Sequence, residues 1–185
     1  MEPIEQLSHI LPTLSATVAR IQTGQLNGPT PCDKFTVHDV LDHMIVLGGT
    51  FAYLFRGEEP PELKAPKVDG RVPAIEFSTV MEDLLDAVRT PGAMERIVST
   101  PVGEMPGAAF AGFVAFDGLM HGWDLARATG LDFELSSAVI ASVDAFARGA
   151  IAPEMRDGDT FKEATSAPEN AGPMERLAAF SGRSV

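Results

Sequence analysis

The chain has 185 residues, 45% hydrophobic and 22% charged, with Lys+Arg 14 against Asp+Glu 26 and a net charge of −12. That size and composition fit one globular domain over residues 1–185 and exclude a disordered tract, a collagen-like repeat and a coiled-coil rod. The acidic balance repels nucleic acid and anionic lipid, and no apolar run approaches the ~20 residues of a spanning helix, so neither nucleic acid nor a membrane is an expected partner.

Helical periodicity dominates. Leu7, Leu11, Leu14, Val18 and Ile21 repeat at i, i+4 and i+7 and predict a first helix over about 3–25. Asn27-Gly28-Pro29-Thr30-Pro31 ends it. Thr36 and Asp39 form a T-x-x-D cap ahead of an apolar run, predicting a second helix from Thr36 to Gly57 with Val37, Val40, Leu41, Met44, Phe51 and Phe55 on its buried side. Residues 57–72 read as a proline-rich charged loop. Pro73 suits the first position of a third helix carrying Phe77, Val80, Leu84 and Val88, which Pro91-Gly92 breaks. Arg96 to Thr100 is a short extended candidate. Pro106-Gly107 opens a fourth helix that Gly130 closes. A fifth helix is expected over about 135–150, with Ile140, Val143 and Ala147 inward. Residues 152–172 read as loop, and Pro173 begins a last short helix, Met174 to Phe180. The expected fold class is all-α: a four-helix bundle with a crossover and one or two extra short helices.

The N-terminus MEPIEQLSHI lacks the basic and apolar regions of a signal peptide, and the single Cys32 has no internal disulfide partner. Both favour a reducing, cytoplasmic compartment.

The informative residues are polar ones on apolar stripes. His43 lies in the row Val40, His43, Leu47, Leu54. Asp117 and His121 lie in the fourth-helix row Phe110, Val114, Asp117, His121, Leu125. Four residues apart, their side chains are neighbours, about 5–6 Å between Cβ atoms. A buried carboxylate needs a cation, and a divalent metal held by His43, Asp117 and His121 would supply one while leaving a position open. The competing reading is a hydrogen-bonded core histidine and a simple i,i+4 ion pair. Asp124 reads either as a group supporting a ligand or tying two helices, or as a surface partner of Arg127. His9 and His38 read as surface residues, Cys32 as a small buried hydrophobe in preference to a soft ligand or nucleophile, and Trp123 as packed against a neighbouring helix.

Three segments carry a resemblance. They are Thr30-Pro31-Cys32 through Phe35-Thr36-Val37-His38-Asp39 to His43, then Asp117 through His121-Gly122-Trp123-Asp124-Leu125-Ala126-Arg127-Ala128-Thr129-Gly130, and Arg176-Leu177-Ala178-Ala179-Phe180-Ser181-Gly182-Arg183. They resemble the DinB-like superfamily, in the branch related to the N-terminal domain of mycothiol-dependent maleylpyruvate isomerase. The resemblance implies a left-handed, up-down-down-up four-helix bundle. It implies a metal, zinc or nickel, on His43, Asp117 and His121, with Asp117 standing where the isomerase branch has Glu. It also implies a low-molecular-weight thiol as co-reactant. Arg176 and Arg183 match the family ending and are expected to tie the C-terminal helix to acidic residues. The leading expectation is a metal-dependent transferase or isomerase acting on a small electrophile, with metal-bound water or thiolate as the reactive group. The alternative is a non-catalytic module that binds or senses a small molecule on the same fold. Bundles of this size often dimerise, so a homodimer is an open assembly.

Overall fold

In a computed structural model, residues 1–66, 70–100, 103–156, 158 and 161–185 are described. Among them are six α-helices, α1 Pro3–Val18, α2 Val37–Arg56, α3 Ala74–Val88, α4 Gly107–Thr129, α5 Ser137–Ala150 and α6 Pro173–Phe180. Two short strands, β1 Ile97–Thr100 and β2 Gly103–Pro106, pair antiparallel with Ile97 opposite Pro106 and Thr100 opposite Gly103. The chain is therefore mostly helical, and the hairpin departs from the all-α expectation. No helix among the described residues is long and apolar enough to cross a membrane.

Helix α1 packs against α3 and α4, and α2 packs against the same two, so the four close a ring. Helix α5 adds to α4, and α6 to α5. One apolar cluster runs through this arrangement from Leu7 to Ala178. Helix α1 stops at Val18 rather than near residue 25, because the chain tightens there and re-forms as a single 3₁₀ turn, Thr23–Gln25. Ile21 kept the apolar period because it is buried from that turn and not from a helix. In α5 the inward set is Val139, Val143 and Ala147; Ile140 is only half-buried. Pro73 caps α3 from outside instead of opening it. The expected loops 57–72 and 152–172 are found, apart from one 3₁₀ turn at Pro153–Met155, while residues 67–69, 157, 159 and 160 within them lie outside the described residues.

The start of α2 is built locally. Thr36 Oγ1 accepts the Asp39 N–H at 3.2 Å, and Asp39 Oδ2 accepts the Thr36 N–H at 2.8 Å, so two otherwise orphaned donors are satisfied reciprocally. Gly57 ends α2 at φ 74°, a left-handed conformation that costs glycine least. Helix α4 is enclosed on nearly every side, and every residue from Gly118 to Ala126 is buried. Its first N–H groups donate to the Arg96 and Met94 carbonyls at 2.7 and 2.9 Å. A Cβ at Gly107 would lie 1.9 Å from the Ala93 carbonyl oxygen, so only glycine allows this approach.

The cap hydrogen bonds from Thr36 hold the Asp39 carboxyl below its ordinary value. A depressed carboxylate contributes stability that is complete above the unfolded pKa and lost as pH falls through the folded one. Asp39→Asn should therefore lower the midpoint of thermal unfolding at pH 7. The difference from wild type should shrink as pH falls below the ordinary aspartate value of about 3.9 and vanish once pH lies below the depressed folded value. A difference that persisted unchanged into acid would show that the charge contributes nothing.

Candidate metal centre

Helix α2 brings His43 together with Asp117 and His121 of α4. One donor atom from each lies within 4.8 Å of the other two. The two imidazole centroids are 5.1 Å apart at 70°, edge to face, and the Phe35 ring stands 5.3 Å from His43 and 6.3 Å from His121. Phe35 is delivered by the loop before α2, where the Thr30 hydroxyl donates to the Cys32 and Phe35 carbonyls at 3.0 and 2.8 Å. All three residues singled out as metal ligands thus converge.

Their orientation comes from a residue deeper in α4. Asp124 is fully buried. Its carboxylate accepts from Arg183 Nε at 2.8 Å and Nη2 at 2.7 Å, and faces His121 Nδ1 at 3.1 Å. Burial opposes its ionisation, yet the Arg183 and His121 hydrogen bonds hold its pKa below the usual carboxylate range. An ionised carboxylate only accepts, so His121 Nδ1 carries the proton. Nε2 then faces the cluster, 3.4 Å from Asp117 Oδ1. Two acceptors at that distance repel each other unless a cation or a proton lies between them. A ligating histidine whose other nitrogen donates to a carboxylate is the usual support of a metal site. Burial pushes the His43 pKa down, with the Asp117 charge opposing and His121 reinforcing the fall. His43 is therefore neutral and able to ligate at physiological pH. Two imidazoles and a carboxylate are a donor set that can hold a divalent metal ion.

Some expectations need correction. The fully buried carboxylate is Asp124, not Asp117, whose side chain is 36% exposed and opens onto a cavity. Asp124 pairs with Arg183 and not with Arg127, whose guanidinium lies 5.8 Å over the Trp123 ring. Trp123 is buried in the apolar core, as its packing role requires. Arg183 ties the C-terminal end to an acidic residue as expected. Arg176 is exposed and pairs with no acidic side chain among the described residues. Cys32 is not a core residue: it is half-buried and lines the cavity. Burial raises its thiol pKa despite the nearby Arg183, so it stays protonated near neutrality and is a poor nucleophile. It does not join the three-residue cluster. His9 is exposed, and His38 lies 3.6 Å from Asp42 on the outer part of α2. The Asp124–Arg183 bond was missed as a pair, because no local pattern connects residues 59 apart in sequence.

The cavity beside the cluster has a volume of ≈ 490 Å³. Leu47 and Phe51 line it, so the α2 row that carries His43 is partly cavity wall and not core.

Comparison with known proteins bears on the same residues. The family described as mycothiol maleylpyruvate isomerase N-terminal domain matches residues 7–126, a span that contains His43, Asp117, His121 and Asp124 but not Arg183. Two proteins from two strains of Mycobacterium tuberculosis, both described as uncharacterised, are each 33% identical to this chain over 186 residues, covering 100% of it and 100% of their own length. No solved structure matches.

Two outcomes are expected from substitution here. Asp124→Asn should weaken zinc affinity about 10–100-fold in competition titrations, the usual effect of removing such a support, with helical content retained by circular dichroism. Cys32→Ser should leave zinc affinity unchanged, and a large loss would make the thiol a ligand.

Proposed function

This chain belongs to the mycothiol maleylpyruvate isomerase N-terminal domain family, and we propose that it is a divalent-metal-dependent enzyme using a low-molecular-weight thiol in a transferase or isomerase reaction on a small electrophile. The observation that carries this reading is the direction of His121. With Nδ1–H committed to Asp124, Nε2 faces Asp117 Oδ1 at 3.4 Å, beside His43. The ring α1–α3–α2–α4 supports a DinB-like bundle.

In this reading His43, Asp117 and His121 hold the ion. When bound, the ion lowers the pKa of a thiol or water placed in its open position. Asp124 fixes the His121 tautomer, and Arg183 fixes Asp124. Phe35 covers the two imidazoles and limits water at the cluster. With an epoxide as electrophile, a sulfur–carbon bond forms as a carbon–oxygen bond breaks, and the thiol proton ends on the oxygen, so no oxidant is needed.

Protein purified without chelator should carry about one equivalent of zinc or nickel per chain, the stoichiometry of one three-ligand site. The His43→Ala/His121→Ala double variant should carry none while keeping its helical content. The metal-loaded protein should accelerate loss of free thiol in the presence of an epoxide, or cis–trans conversion of maleylpyruvate with the thiol returned unchanged, and the double variant should do neither. Absence of metal after incubation with either ion would sink the enzyme reading. Ligand-induced thermal stabilisation with neither thiol loss nor isomerisation would favour the binding module instead.

A further inference from the structure

The cavity wall is unusually aromatic. Six of the chain's eleven phenylalanines line it: Phe35, Phe51, Phe110, Phe113, Phe116 and Phe161. Five of them form two groups around the hollow, and Phe35 stands against His43 and His121. Phe51 stands edge-on to Phe110 at 4.9 Å, and Phe161 lies 6.4 Å from Phe113 and 6.1 Å from Phe116. Phe110 and Phe116 are buried, but Phe35, Phe51, Phe113 and Phe161 are only half-buried. Apolar rings left open to a hollow forgo burial that a ligand body would complete. The volume, ≈ 490 Å³, lies within the range of about 300–1,000 Å³ found for small-molecule sites. The polar cluster His43, Asp117 and His121 occupies one part of this wall.

The charges beside the cavity do not suit an anionic ligand. Arg183 spends Nε and Nη2 on Asp124 and Nη1 on Ser181 at 2.9 Å, so its fork is not offered to a carboxylate. Lys162 is paired with Asp33, and Lys34, the third cation lining the cavity among the described residues, donates to the Gly158 carbonyl at 3.4 Å. The whole chain carries −12, which repels anions at a distance.

We propose that the electrophile is a neutral molecule with an aryl body of one or two rings, its polar reactive group against His43, Asp117 and His121, and not a small dicarboxylate. This deepens the function proposed above and rests on it.

The test uses the whole chain loaded with zinc and titrated calorimetrically with 2-naphthohydroxamate, acetohydroxamate and maleate. The two hydroxamates share a metal-binding head and differ in the apolar body. The naphthyl compound should bind at least about tenfold tighter than the methyl one, the order expected from burying a ring, and tighter than maleate. Phe161→Ala should reduce that ratio several-fold, and Phe51→Leu replaces it if the first variant loses helical content. Equal binding of the two hydroxamates, or tighter binding of maleate, overturns the proposal while zinc uptake leaves the metal reading standing. If no zinc is taken up, the metal reading fails by itself. Then 2-naphthamide, which cannot chelate, is titrated into the metal-free protein: binding weakened by Phe161→Ala supports the aryl cavity, and no binding overturns it.

Discussion

The buried carboxylate of Asp124 is the constraint on which the rest of the site depends. A charge taken wholly out of water costs several kcal/mol unless it is paired and hydrogen-bonded. Asp124 meets that requirement from two directions, with the Arg183 fork on one side and His121 Nδ1 on the other. Each partner is fixed in return. The guanidinium anchors the last residues of the chain against α4. The imidazole is held in one tautomer, with Nε2 turned toward Asp117 and His43. A side chain without an acceptor at residue 124 could do neither, and a carboxylate there without Arg183 would be an unpaired charge in the core.

The rest of the fold fits this constraint by enclosing α4. The helix is covered by α1, α2, α5 and the hairpin. Phe133 and Phe146 rest against Gly122 and Gly112, where a Cβ would fall 2.3 and 2.5 Å from their rings. The first N–H groups of α4 are satisfied by the turn that precedes β1, so the hairpin is bonded to the helix it introduces. A two-stranded hairpin is marginal alone; here Val98 is buried, and Thr100 and Met105 help to wall the cavity. The strands therefore belong to the site as well as to the connection.

Electrostatics around the cavity follow a consistent pattern. Two of its lining cations are paired with carboxylates, Arg183 with Asp124 and Lys162 with Asp33, and Lys34 donates to the Gly158 carbonyl. The cluster of His43, Asp117 and His121 is different. There the neutral His43, His121 Nε2 and a half-exposed carboxylate converge within one small cluster. The thiol of Cys32 is held protonated by burial. A reactive thiolate at this site would accordingly come from a bound co-reactant and not from the chain.

Much of this was legible in local pattern. Thr36 and Asp39 declared the start of α2, Gly57 and Gly130 the ends of α2 and α4, and Pro173 the start of α6, because caps and breakers act over three or four residues. Asp117 and His121 were readable as neighbours for the same reason, since a helix places i and i+4 together whatever surrounds it. His43 stood out because a polar residue in an apolar row requires an explanation. By itself the sequence determined the helices, their caps and the three candidate ligands. The tertiary structure alone decided that α2 and α4 meet at His43 and His121, that Gly103-Glu104-Met105-Pro106 pairs as a strand without a strand-like pattern, and that Asp124 and not Asp117 is the fully buried carboxylate. Those outcomes depend on contacts between residues far apart in the chain. An enclosed helix such as α4 has no polar face whose period could announce which of its polar residues points to the core and which to the cavity.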